Sequence, residues 1–216
     1  MSRFPIGPPE GLTVAVPRGA LFADTLDLLD GLGADTAAVR SDGRRLIFDE
    51  CGIVTMRPSD VPTYVEQGAA DVGITGKDVL LEQPWRDVYE LADLAYGACR
   101  MVVATPEGRE VAEPLERLGR VRIATKYPRI AARHFSETGR HAEIVEVKGS
   151  VEIAPLTGLV DAIVDLTATG CTLAENGLVE REEVLRSSAR LIANPVAHRL
   201  RAAAVDALLM RIGGPR

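Results

Sequence analysis

Apolar and polar positions along the chain fall into short blocks that read as strand, turn and helix, over and over. Leu12 to Val16 forms an apolar run that predicts a buried strand. The following ALFADTLDLLDGLG carries apolar residues at helical spacing and closes on Gly31 and Gly33. Arg45 to Phe48 and Ile53 to Met56 predict a pair of strands. Pro58-Ser59-Asp60 then opens a helix with Val61, Tyr64 and Val65 on one face and Gly68 at its end. Asp71 to Thr75 predicts another strand, which passes through Gly76 into a helix containing Val79 and Leu80.

A second block keeps the same beat. MVVAT, VRIAT, AEIVEV and DAIVDL predict strands, and EVAEPLERLG and PRIAARHFSETG predict helices, the latter with Pro128 at its start. GSVEIAPLTG reads as a short helix or turn. TLAENG, a mixed segment from Leu178 to Ile192, and a helix from about Val196 to Ile212 complete the chain. Strands alternating with helices predict an α/β fold, with ligands at the carboxyl ends of the strands. AADVGITGKDVL and LVDAIVDLTATGCTL faintly echo each other, which points to two similar lobes. The boundary is expected near Tyr96-Gly97, with the final helix crossing back to the first lobe.

Composition narrows the class. Of 216 residues 46% are apolar and 26% charged, the profile of a folded globular protein rather than a disordered one. With 25 Lys and Arg against 31 Asp and Glu, the net charge is −6, which argues against general nucleic-acid binding. It leaves room for a small anionic ligand in a local basic cleft. The opening MSRFPIGPPEG has no apolar run of the signal-peptide kind, and no stretch is long enough to cross a bilayer, so a cytoplasmic location and no membrane partner are expected. Cys51, Cys99 and Cys171 are far apart and lack CxxC spacing, which predicts reduced, mostly buried thiols. His134, His141 and His198 show no metal-ligand spacing, and no metal-binding residue is assigned.

Candidate chemistry gathers where predicted strands stop. In DLTATGCTL, the strand ends on Asp165 and runs through Thr167, Ala168, Thr169, Gly170, Cys171 and Thr172 into a helix start. Small and hydroxyl-bearing residues let successive N–H groups face one concavity, the build of a phosphate nest, whereas a plain turn with an N-capping Thr is the ordinary alternative. Arg18, Arg57, Arg44 and Arg45 stand at or beside strand ends, where guanidinium forks could clamp pyrophosphate. Lys126 in IATKYP and the turn from Lys148 to Glu152 follow strands of the second block and could face the same ligand as Asp165. No carboxylate pair, Ser/His or Cys/His arrangement stands out. That suits a reaction whose nucleophile is already unprotonated and needs positioning and charge stabilisation.

The strings VPRGAL, RRLIFDE, RPSDVPTYVEQGAADVGITGKDVLLE, YGACRMVVATP, IATKYP and KGSVEIAPLTGLVDAIVDLTATGCTLAENGLVE resemble the ATP phosphoribosyltransferase family of histidine biosynthesis. The resemblance runs from about residue 11 to about 195 and rests most on the two long strings. It implies transfer of phosphoribosyl from phosphoribosyl pyrophosphate to N1 of the adenine of ATP, with release of pyrophosphate and with Mg²⁺. It also implies two lobes of the type II periplasmic-binding-protein kind with the active site in the cleft between them, residues 1–96 plus 185–216 making the first and 97–184 the second.

Carried over by position, Thr167 to Thr172 would hold the 5′-phosphate of the donor, with Asp165 near its ribose. Glu152 and Lys126 would also belong to the donor site. Arg57 and Arg44 would be the catalytic arginines meeting ATP and the departing pyrophosphate. Arg18 stands where relatives often have Lys, and Ala20 where many have Arg. The length implies the short form of the family, whose members form a hetero-oligomer with a regulatory subunit resembling histidyl-tRNA synthetase, around a homodimer of catalytic chains. Rival readings are a solute-binding or effector-sensing domain and a phosphoribosyltransferase acting on a free base.

Overall fold

A computed structural model describes residues 11–108 and 121–213. The helix expected over EVAEPLERLG lies outside the described residues. The chain divides into two compact units, the first of residues 11–97 and 188–213 and the second of residues 98–108 and 121–187.

In the first unit the strands are β1 (Val14–Pro17), β2 (Ile47–Phe48), β3 (Ile53–Met56), β4 (Val72–Gly76), β5 (Tyr89–Asp93) and β11 (Ala189–Ala193). They order as β2-β3-β1-β4-β11-β5. β1 is parallel to β3 and β4, while β11 runs antiparallel to both β4 and β5. Every residue of β1 and β4 is buried, which is why both read as unbroken apolar runs and not as alternating ones. One face is covered by α1 (Phe22–Gly31) and the C-terminal helix, through Leu26, Leu29, Val205 and Leu208. On the other face α3 (Val61–Glu66) lies on Ala15 and Ile192. Gly73 permits this close approach: a Cβ there would stand 2.7 Å from both Val61 Cγ1 and Val65 Cγ2. Two further helices, α2 (Ala37–Ser41) and α4 (Lys77–Glu82), complete the first part of the unit.

The second unit holds β6 (Cys99–Pro106), β7 (Val121–Thr125), β8 (Ala142–Glu146), β9 (Ala162–Thr167) and β10 (Leu178–Ser187), in the order β10-β6-β9-β7-β8. β7 is parallel to β8 and β9, and β6 is antiparallel to β9 and β10. The helix α5 (Pro128–Glu137) starts on Pro128 and buries Ile130, Ala131 and Phe135. Two short helices follow, α6 (Ile153–Leu156) and α7 (Cys171–Glu175), and their turns carry candidate residues.

Four expectations change. The mixed segment from Leu178 to Ile192 is two strands, β10 and β11, whose partners lie far away in sequence. The second boundary therefore falls after Ser187, not after residue 184, because residues 185–187 still pair with β6; the first falls after Gly97. The final helix breaks at Arg201 into α8 (Pro195–Leu200) and α9 (Ala202–Gly213). Arg201 there reaches Asp71 at 2.7 Å, and α8 is capped by the Asn194 side chain accepting from Val196 and Ala197 N–H. Of the three free cysteines only Cys51 is buried, and burial pushes its thiol pKa up; Cys171 is exposed. Among the described residues no helix is long and apolar enough to cross a membrane.

Candidate functional site

Parallel pairing of β7 with β9 sets the second unit's candidates side by side. Thr125 stands opposite Val164, so Lys126, just past the end of β7, comes alongside Asp165 of β9. Lys126 Nζ lies 3.5 Å from Asp165 Oδ2. The Asp165 side chain is only 15% exposed, and burial raises its proton affinity above the usual carboxylate range. The neighbouring Lys126 charge pulls it back down, and the Glu152 carboxylate pushes it up. Glu152 is therefore near Asp165 in space, placed by its seat at the start of α6.

The loop after β9 is a turn that its own threonine hydroxyls help to hold. Gly170 adopts a left-handed conformation, φ +80°, and its N–H donates to Thr167 Oγ1 at 2.8 Å. Cys171 N–H reaches Thr169 Oγ1 at 3.4 Å. The Ala168 and Thr169 amides donate to no partner among the described residues and stay available to an anion. The expected helix contribution is smaller than anticipated, because α7 runs only from Cys171 to Glu175 and few aligned peptides add to its dipole. Ala168, Thr169, Cys171 and Thr172 are exposed, and Thr167 is buried under them.

In the first unit β1 and β3 are parallel with Pro17 opposite Met56, which sends Arg18 and Arg57 out of the same sheet edge. Their behaviour differs. Arg18 donates from Nε to Thr55 Oγ1 at 2.9 Å and from its two terminal nitrogens to the Gly43 and Arg45 carbonyls. It thus ties down the turn that carries Arg44, a positioning role that the substrate-binding expectation did not contain. Asp42 braces the same turn, its carboxylate accepting from the Arg44 and Arg45 N–H groups, and those bonds hold its pKa low. Arg45 is committed elsewhere, paired with both oxygens of Glu50 at 2.6 Å and stacked over Phe48. Arg44 and Arg57 are exposed, and neither side chain has a partner among the described residues.

A groove of about 1300 Å³, wholly within the first unit, is lined by Arg18, Thr55 and Arg57 together with apolar Leu46, Ile47 and Tyr64. Arg44 does not line it. Apolar walls beside guanidinium groups suit a ligand with a flat ring and charged groups. Two residues that sequence reading passes over, Arg100 and Glu180, stand against the Thr167–Thr172 loop. Their proximity depends on strand pairing across 80 residues, and no local motif signals it.

Residues 57–214 match the family described as "HisG: ATP phosphoribosyltransferase". An ATP phosphoribosyltransferase from Rubrobacter xylanophilus is 53% identical over 207 residues, spanning 94% of this chain and 95% of its own. One from Moorella thermoacetica is 49% identical, spanning 88% and 86%. Among solved structures, the ATP phosphoribosyl transferase (HisG:HisZ) complex from Thermotoga maritima matches with a TM-score of 0.78 and 36% identity, over 93% of this chain and 95% of that one. The periplasmic aliphatic sulphonate binding protein SsuA from Escherichia coli matches at a TM-score of 0.60 with 13% identity, covering 93% and 70%, which marks a shared periplasmic-binding-protein fold and nothing more. Identity near one half over almost the whole length separates this chain from the solute binders: it belongs to the ATP phosphoribosyltransferase family.

Proposed function

We propose that this chain catalyses the first step of histidine biosynthesis, moving phosphoribosyl from phosphoribosyl pyrophosphate to N1 of the adenine of ATP and releasing pyrophosphate. The observation that carries the reading is the match to ATP phosphoribosyltransferases along nearly the whole chain. The residues described above supply the chemistry. The loop Thr167–Thr172 offers amides and hydroxyls to the donor's 5′-phosphate. Asp165, with Lys126 and Glu152 beside it, meets the ribose hydroxyls. Adenine N1 is unprotonated at neutral pH, so its lone pair forms the bond to the anomeric carbon without a general base. The bond from that carbon to the pyrophosphate oxygen breaks, and its electron pair leaves with pyrophosphate. Arg57 and Arg44, exposed and without a side-chain partner among the described residues, stabilise the charge that grows on the leaving group. Arg18 acts on this step by holding the turn of Arg44.

Mg²⁺ fits the residues at hand. Among the described residues no three His, Cys, Asp or Glu side chains gather into a metal cage. Mg²⁺ prefers water and substrate oxygens, and Asp165 and Glu152 would be the carboxylates on hand for it. When bound with the donor, the ion supplies positive charge to the diphosphate.

The working assembly in this reading is a hetero-oligomer in the cytoplasm, built on a homodimer of catalytic chains with a regulatory subunit resembling histidyl-tRNA synthetase. Its support is the likeness to the Thermotoga maritima HisG:HisZ complex. The deciding experiment supplies the chain, alone and together with a regulatory subunit of that kind, with Mg²⁺, phosphoribosyl pyrophosphate and ATP and follows pyrophosphate together with the mass of the new nucleotide. Product with ATP and none with free adenine is expected. Turnover of a free base instead of ATP, or ligand binding without turnover, would overturn the assignment.

A further inference from the structure

Three charged side chains of the second unit meet beside the Thr167–Thr172 loop. Arg100 Nη1 lies 2.9 Å from Glu180 Oε2, Nη2 lies 3.2 Å from Glu180 Oε1, and Glu183 Oε2 is 3.8 Å from Nη1. Arg100 sits on β6 directly opposite Thr167 of β9, the residue whose hydroxyl accepts the Gly170 N–H. On the loop side, a Cβ on Gly170 would come within 2.9 Å of Glu180 Oε1, so the carboxylate packs straight against the left-handed glycine.

The convergence is built by irregular pairing. Residues three apart on a regular strand face opposite sides of the sheet. Glu180 and Glu183 are three apart, yet both reach Arg100. The register of β10 against β6 slips between Glu180 and Glu182 and again between Glu183 and Leu185. The first slip adds the residue that turns Glu183 to the side of Glu180. A bulge thereby gathers two carboxylates on Arg100, and one of them, Glu180, lies next to the loop assigned to a phosphate dianion, which it would repel.

We propose that Arg100 and Glu180 are positioning residues of the donor site. The Glu180 carboxylate, gripped in both oxygens by Arg100, buttresses the Gly170 turn. The Arg100 charge cancels that of Glu180, so that the loop can accept the donor's 5′-phosphate. This inference rests on the loop's assignment under Proposed function.

Calorimetric titration of phosphoribosyl pyrophosphate with Mg²⁺ into the purified chain tests it, with ATP titrated separately as the internal control. Arg100→Gln leaves Glu180 uncompensated and is expected to weaken donor binding about tenfold or more, with ATP binding held within about twofold. Arg100→Lys keeps the charge and is expected to recover most of the loss. The double variant Arg100→Gln/Glu180→Gln removes both charges and is expected to bind the donor better than Arg100→Gln alone, since Glu183 keeps Arg186 at 2.8 Å. Unchanged donor binding in Arg100→Gln, equal loss of donor and ATP, or a double variant as weak as the single would each overturn the proposal. A wild-type chain that binds ATP but no phosphoribosyl pyrophosphate would instead refute the loop's assignment, and this inference with it.

Discussion

Replacing Arg57 with Ala separates catalytic from structural roles unusually cleanly, because the side chain holds nothing else in place. Arg57 is exposed at the end of β3 and its guanidinium has no partner among the described residues. The turn that follows is fixed by other groups: Asp60 N–H donates to the Arg57 carbonyl at 3.0 Å, and the buried Thr75 hydroxyl donates to the Pro58 carbonyl at 2.9 Å. Deleting the guanidinium leaves both bonds intact, so stability should change by no more than about 0.5 kcal/mol. For a chain of this length that is a shift of roughly 2 °C or less in Tm.

The kinetic effect should be far larger. A unit charge about 4–5 Å from a leaving oxygen, at an effective dielectric near 20, interacts by roughly 3–4 kcal/mol. Part of that is already present in the ground state, because the diphosphate is charged before the bond breaks. The remainder, about 2–3 kcal/mol, corresponds to roughly 30- to 160-fold in kcat. Steady-state kinetics with both substrates, calorimetric Kd for the donor and a thermal melt together give the test. A fall in kcat far larger than the weakening of donor binding is expected. Equal losses in kcat and donor affinity would refute a role confined to the transition state, and a Tm drop of several degrees would show that Arg57 serves the fold.

Alkylation of exposed Cys171 should abolish turnover, and phosphoribosyl pyrophosphate should protect it; peptide mapping distinguishes it from Cys99, and harmless or unprotected labelling would put the thiol outside the donor site. Asp165→Asn should lower activity yet raise stability at neutral pH. Because burial raises the Asp165 pKa, the folded state binds that proton more tightly than the unfolded one, and stability falls as pH rises through this window above the ordinary value. The variant's Tm advantage should therefore shrink as pH is lowered toward the ordinary carboxylate range, and a variant less stable than wild type at pH 7 would contradict the burial argument. Gly73→Ala places a methyl group against Val61 and Val65, an overpacking cost of about 1–3 kcal/mol that exceeds the ~0.4–1 kcal/mol gained from a stiffer unfolded chain. Chemical denaturation should show a lower midpoint with an unchanged slope, and equal stability would mean that α3 retreats without cost.

The sequence by itself determined the elements whose cause is local. Near-continuous apolar runs marked β1 and β4 because strands buried on both faces need no alternation, and Pro128 marked the start of α5. It also nominated most of the candidate site residues, since hydroxyl-rich loops and strand-end arginines are built from neighbours in the chain. Long-range pairing was hidden. β10 and β11 read as a mixed segment because their partners, β6 and β4, lie far away along the chain. The break at Arg201 depends on a contact with Asp71, 130 residues distant. The arginines looked alike in the string, and only tertiary structure separated them. Arg45 is neutralised by Glu50, Arg18 is bound to the turn it steadies, and Arg44 and Arg57 have no side-chain partner among the described residues. Charge type is written in a residue's identity, but whether that charge is available to a ligand depends on which carboxylates and carbonyls the folded chain brings within reach.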